Sequence, residues 1–265
     1  MKNFIFPEEL SQYTDRTRLY AGMEAADKEE FLRCHLPGSF FLSLDTDLTG
    51  DATTGNGRHP LPEMNAFADQ MMALGISADT PVLVYGEGLT MAAYRLWWML
   101  RAVGVQDVKV LYDAESKWKE HAGDAVTPVP ETPGEGLAFD PTSMVEMTEV
   151  RRRIETGDIT LIDSRNAERY NGIEDELDHR PGHIPTAHSY PYLDLNKPAF
   201  PSKEEIEKHY RDLPADKPVV AYCGSGVSAQ FNMMLLEEIG IESTLYPGSF
   251  SGWIEDPDNP VVSEG

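Results

Sequence analysis

The stretch PVVAYCGSGVSAQ, residues 218–230, sets an apolar run against a glycine-rich run, with one cysteine at the junction. After Pro218, the residues Val219 to Tyr222 read as a short buried strand, and the run AQFNMMLLEEIG that follows has helical periodicity with a stop at Gly240. Cys223 therefore leaves a strand end and faces a helix start. Gly224 and Gly226 permit positive φ and a tight turn, so successive N–H groups can point at one centre and cradle an anion. A thiolate in that cradle gains the field of the helix terminus, about 0.3–1 kcal/mol, which lowers a thiol pKa by less than about one unit. Loop amides and the Ser228 hydroxyl are expected to supply the rest. A phosphate-gripping cysteine loop carries an arginine six positions on; Ala229 stands there, which argues against phosphatase chemistry.

The pattern occurs twice. HLPGS at His35 precedes PVLVYGEG at Pro81, the helical run AAYRLWWMLRAVG, the strand VKVLY and Trp118; HIPTA at His183 precedes PVVAYCGSG, its helix, the strand STLYP and Trp253. Tyr85 answers Tyr222, and Gly86 takes the place of Cys223. This is an internal duplication in which only the second copy carries a thiol at the turn. Strand, turn and helix in alternation indicate parallel pairing through crossover helices, hence an α/β fold with a parallel sheet flanked by helices in each half. Between the halves, residues 122–142 (AGDAVTPVPETPGEGLAFDPT) lose all periodicity amid proline and glycine. The expected organisation is an N-terminal domain at 1–124 lacking the cysteine, a linker at 125–141 and a catalytic domain at 142–265.

Composition narrows the functional classes. With 45 Asp plus Glu against 22 Lys plus Arg, the formal charge of −23 opposes nucleic acid and anionic membrane surfaces as partners. No apolar run approaches the roughly 20 residues of a membrane span, so a soluble cytoplasmic protein is expected. Two cysteines, Cys34 and Cys223, argue against a disulfide framework or a cysteine-based metal site, and no cofactor is expected. Cys34, in FLRCHLPG, lacks a glycine cradle and reads as packing. The LWWML run at 96–100 reads as core, and Arg151 to Arg153 as a solvated helix face.

The tandem halves, RPGHIP at 180–185, DSRNAERYNG at 163–172, RHPLP at 58–62 and above all CGSGVSA at 223–229 resemble the two-domain rhodanese-type sulfurtransferases over nearly the whole chain. In that family a Cys-Gly-Ser/Thr-Gly-Val-Thr loop goes with 3-mercaptopyruvate as donor, and Cys-Arg-Lys-Gly-Val-Thr with thiosulfate. The loop here departs from the first pattern only at Ser228, which keeps the hydroxyl. The resemblance implies that Cys223 takes sulfur from 3-mercaptopyruvate as a persulfide and passes it to a thiol or cyanide acceptor, thioredoxin among the candidates. It implies a relay of Ser225, His59 and Asp45, with Asp47 as an alternative in the same stretch, and a site at the domain interface. For the substrate carboxylate it implies Arg169. The family's second arginine falls on Asp178, which leaves neighbouring Arg180 as the substitute. Gly224, Gly226, Val227 and Ser228 would line the anion site, while Asp163 and Arg165 would brace the loop beneath. Two alternatives stay open: thiosulfate as donor, and a non-catalytic rhodanese-like module that binds a partner or senses oxidants through Cys223.

Overall fold

The computed structural model describes residues 1–52, 55–123, 130, 132–173 and 176–263, and the chain separates into two units. Unit 1 is Met1–Gly50 with Leu61–Pro141; unit 2 is Asp51–Pro60 with Thr142–Gly265. Of the expected linker, residues 125–129 and 131 lie outside the described residues. Its later part is bonded along unit 1: Gly134 N donates to Met72 O (2.7 Å), Ala138 N to Val103 O (3.0 Å) and Asp140 N to Ala102 O (2.9 Å).

Unit 1 runs β1 (Phe4–Ile5), β2 (Thr17–Gly22), α1 (Lys28–Arg33), β3 (Ser39–Ser43), α2 (Met64–Ala73), β4 (Val82–Tyr85), α3 (Met91–Ala102) and β5 (Val108–Leu111). Its five strands are parallel in the order β1-β5-β4-β2-β3. Unit 2 runs α4 (Met147–Thr156), β6 (Thr160–Asp163), α5 (Ala167–Asn171), β7 (His188–Ser189), α6 (Lys203–His209), β8 (Val219–Tyr222), α7 (Ala229–Glu238), β9 (Ser243–Leu245) and α8 (Ser249–Trp253). Its four strands, also parallel, lie in the order β7-β6-β8-β9. Reading the second sheet backwards reproduces the first without its edge strand β1. Each half is thus the expected parallel α/β sheet.

Every residue of β4, β6 and β8 is buried, as central parallel strands covered on both faces require. On one face of β8, Val220 and Tyr222 join Leu161, Ile184, Phe250 and Trp253 in a core where each apolar side chain removed from water contributes about 1.5–3 kcal/mol. On the corresponding face of β4, Leu83 and Tyr85 pack with Tyr20, Phe31 and Trp118. The LWWML run lies within α3 and is buried throughout. The Arg151–Arg153 face is ion-paired at the surface: Arg152 and Arg153 reach Glu149, and Arg151 reaches Asp256.

The duplication extends to side-chain bonding. Tyr85 Oη accepts from Leu36 N at 2.9 Å in unit 1, and Tyr222 Oη from Ile184 N at 3.2 Å in unit 2. His35 stacks on Phe31 and bonds its carbonyl through Nδ1 (2.6 Å), as His183 does with Tyr170 (2.8 Å). The two tryptophans diverge: Trp118 Nε1 donates to Gly86 O, and Trp253 Nε1 to Pro260 O. No helix among the described residues is long and apolar enough to cross a membrane.

Candidate active site

Strand β8 stops at Tyr222 because the glycine-containing segment 223–228 turns instead of pairing, and α7 begins at Ala229. Gly226 holds φ at +77°, a left-handed conformation that favours glycine. Gln230 Nε2 donates to Gly226 O at 2.7 Å and fixes the turn from the first part of the helix. The result faces Cys223 Sγ, which accepts from Gly226 N at 3.2 Å and Ser228 N at 3.4 Å. Val227 and Ser228 are buried beside it, and Cys223 itself is only 2% exposed. Burial pushes the thiol pKa up; the Ser228 hydroxyl and the amides of Ser228, Ser225 and Ala229 outweigh it, so the pKa lies below the ordinary thiol value.

The cradle is held from beneath by α8. Cys223 N donates to Ser249 Oγ (3.1 Å), while Phe250 N and Ser251 N donate to the carbonyls of Cys223 (3.0 Å) and Gly224 (2.9 Å). Ser249 adopts φ +52°, a strained conformation for a residue with a Cβ, typically costing about 1–3 kcal/mol. Tyr192, whose phenol pKa is raised by burial and then by the Cys223 charge, also stands near the sulfur. Neither Ser249 nor Tyr192 is marked by the sequence, since nothing in PGSF or PYLD distinguishes a residue facing a distant loop.

Residues 51–60 group with unit 2 although they are flanked on both sides by unit 1. Glycines make the close approach to α8 feasible. A Cβ on Gly57 (φ +77°) would fall 2.6 Å from Gly248 O, and one on Gly252 would fall 2.8 Å from Gly55 O. Glu255 accepts from Gly55 N, and Ser251 Oγ accepts from Arg58 N at 3.1 Å. This docking sets His59 against the loop: its Nδ1 shares a 2.8 Å hydrogen bond with Ser225 Oγ, the donor depending on the ring tautomer.

The arginines converge on one carboxylate. Asp178, with its side chain fully buried, pairs with both Arg58 and Arg169, and Arg165 Nη1 lies 3.7 Å from it. Arg165 in turn is bonded to Asp163 at 2.7 Å and to Gly182 O at 2.6 Å, with its guanidinium 3.8 Å above the Phe250 ring. A Cβ on Gly224 would lie 3.0 and 3.1 Å from the Arg169 terminal nitrogens and 3.1 Å from Arg58 Nη2, so both guanidinia stand close over this backbone. Arg180 is engaged elsewhere, donating to Asp256 O (3.1 Å) and Asn259 O (2.7 Å).

Asp45 belongs to unit 1. Its carboxylate accepts from Ser43 Oγ (2.7 Å) and Ala25 N (3.1 Å), and these bonds, Ser43 foremost, hold its pKa below the usual carboxylate value. Asp47 accepts from Ser43 N (2.9 Å) and Gln70 Nε2 (3.0 Å), tying the end of β3 to α2. Cys34 is half-buried at the end of α1, packed against the core of unit 1. Among the described residues, no three His, Cys, Asp or Glu side chains converge as a metal site.

The chain matches the rhodanese-like domain twice, over residues 7–121 and 146–256. It is 33% identical to 3-mercaptopyruvate sulfurtransferase of Escherichia coli over 88% of this chain and 85% of that protein. It is 31% identical to thiosulfate sulfurtransferase of Gallus gallus, covering 88% and 83%. Among solved structures, the 3-mercaptopyruvate sulfotransferase SseA from Escherichia coli superposes with a TM-score of 0.77 at 29% identity, covering 95% of this chain and all of the other. With two domain matches that together span most of its length, the chain belongs to the rhodanese family.

Proposed function

We propose that this protein is a sulfurtransferase that takes sulfane sulfur from 3-mercaptopyruvate onto Cys223 and delivers it to a thiophilic acceptor. The observation that carries the reading is the buried Cys223 sulfur accepting two loop amides beside the Ser225–His59 hydrogen bond. The Cys223 thiolate attacks the donor sulfur and the new S–S bond forms as the C–S bond breaks. Its electron pair leaves as pyruvate enolate, which takes a proton at carbon, and Cys223 is left as a persulfide. Expelling carbon calls for a proton donor or polarising group, the role of Ser225 backed by His59. Arg169 meets the donor carboxylate as a charge-assisted pair, while Gly224, Gly226, Val227 and Ser228 wall the anion site. The acceptor is a thiol or cyanide, thioredoxin-like dithiols included, and the setting is cytoplasmic.

Preference for 3-mercaptopyruvate over thiosulfate is supported by the Gly224–Ser225 pair, which puts no cation in the loop where a sulfonate-like donor would need one. The test uses one preparation: pyruvate release from 3-mercaptopyruvate against thiocyanate formation from thiosulfate and cyanide, with mass analysis of the donor-treated protein. The expected outcome is a higher kcat/KM for 3-mercaptopyruvate, a gain of one sulfur on the peptide holding Cys223, and loss of both in Cys223→Ser. Sulfur on Cys34 would refute the assignment, and a higher kcat/KM for thiosulfate would transfer it to the alternative donor.

A further inference from the structure

We propose that Arg58 is the second anion-gripping guanidinium of this site, occupying from the 51–60 loop the role that position 178 cannot fill. The inference rests on the sulfurtransferase reading and adds a specificity-determining residue to it. An aspartate at 178 places a negative charge where a substrate carboxylate would be repelled, unless that charge is neutralised. Here it is fully buried and paired with Arg58 and Arg169 at once, so it serves as their common anchor. Both guanidinia then lie within about hydrogen-bond distance of where a Gly224 side chain would begin, over the backbone next to the nucleophile. Arg58 is held in that pose from both ends: its N–H donates to Ser251 Oγ (3.1 Å), and its Nη1 donates to Leu177 O (3.3 Å) and to Asp178. Its Nη2 is the atom turned toward Gly224, and the side chain stays one-third exposed, open to a small ligand.

Charge balance supports the same conclusion. A chain of net charge −23 repels an anionic donor unless the site is locally positive, and the cluster sets three guanidinia (Arg58, Arg165, Arg169) against two carboxylates (Asp163, Asp178). Arg165 is buried and bonded to Asp163 and Gly182 O beneath the loop, whereas Arg58 and Arg169, both paired with Asp178, keep 33% and 20% of their side chains exposed beside Gly224. Two planar forks suit a small 2-oxo carboxylate, whose carboxylate and keto oxygens offer acceptors to both.

The test combines steady-state kinetics with alkylation of Cys223 by iodoacetate and by iodoacetamide, reagents that differ in charge and need no donor. Arg58→Ala is expected to raise KM for 3-mercaptopyruvate roughly ten- to hundredfold, the range for a lost hydrogen bond to a charged group, with kcat much less affected. The iodoacetate-to-iodoacetamide rate ratio is expected to fall in the same variant. Arg58→Lys keeps most of that ratio and Arg58→Gln loses it, so the charge is read even where the alanine variant is unstable. An unchanged KM and ratio would overturn the proposal. Equal slowing with both reagents would also overturn it, because Arg58 would then only shape the loop. If the unmodified protein took up no sulfur on Cys223, the parent reading would fail, while the alkylation ratio would still judge Arg58.

Discussion

A buried thiol is ordinarily a poor nucleophile, because burial disfavours the thiolate that does the attacking. At Cys223 the opposition is explicit: burial raises the pKa, and the hydroxyl of Ser228 with three loop amides brings it below the ordinary value. A lowered folded-state pKa means that ionised Cys223 contributes stability above the unfolded-state pKa, and that this contribution is lost as pH falls through the folded-state value. Since the Ser228 hydroxyl is the largest lowering influence, Ser228→Ala is expected to move the midpoint of Cys223 alkylation by iodoacetamide to higher pH and slow the reaction at neutral pH. A rate–pH profile with no shift would assign the thiolate to the amides alone. Thr at 228, which keeps the hydroxyl, is expected to leave the midpoint in place.

At the scale of elements, the two strand–turn–helix units differ in whether the turn has room for a side chain. The turn after β4 is filled: a Cβ at Gly86 would sit 2.5 Å from Thr90 Cγ2 and 2.6 Å from Ala21 O, the latter being backbone of β2 that cannot swing away. Gly86→Cys is therefore expected to destabilise the protein by about 1–3 kcal/mol, the usual cost of overpacking, measured by urea unfolding. It is expected to acquire no sulfur from the donor. A stable variant that forms a persulfide at position 86 would show that the first turn is a working cradle. The contrast was half legible in the sequence. Apolar runs and glycines mark both turns, and the Tyr85–Tyr222 correspondence aligns them, so the strands and the place of the cysteine turn could be read directly. What filled the first turn could be read only in part: Thr90 stands four positions on, but the backbone obstruction, Ala21 O of β2, lies 65 positions away in the chain. The Arg58–Asp178 pairing was hidden for the same reason, its partners being separated by 120 positions. Asp178 was visible only as an acid where the family resemblance called for a base.

On the scale of the whole chain, the duplicated fold does not divide at one point in the sequence, since residues 51–60 leave the first half and group with the second. Composition and periodicity locate the proline-rich stretch between the halves, but an excursion of ten residues carries no periodicity of its own and is legible only as the RHPLP motif. Its physical basis is the set of glycine contacts onto α8, where Gly57 and Gly252 approach too closely for any side chain. This arrangement makes a fragment beginning at Phe139 informative. It retains β8, α7 and α8, hence the amides and Ser228 that lower the Cys223 pKa, but lacks Arg58 and His59. Provided the fragment shows a cooperative unfolding transition, Cys223 is expected to react with iodoacetamide much as in the full chain. Turnover of 3-mercaptopyruvate is expected to fall by roughly 10² or more in kcat/KM, the scale of a lost positioned proton-transfer partner. Full activity from that fragment would show that neither His59 nor Arg58 takes part, and that the second half carries the chemistry without the 51–60 loop.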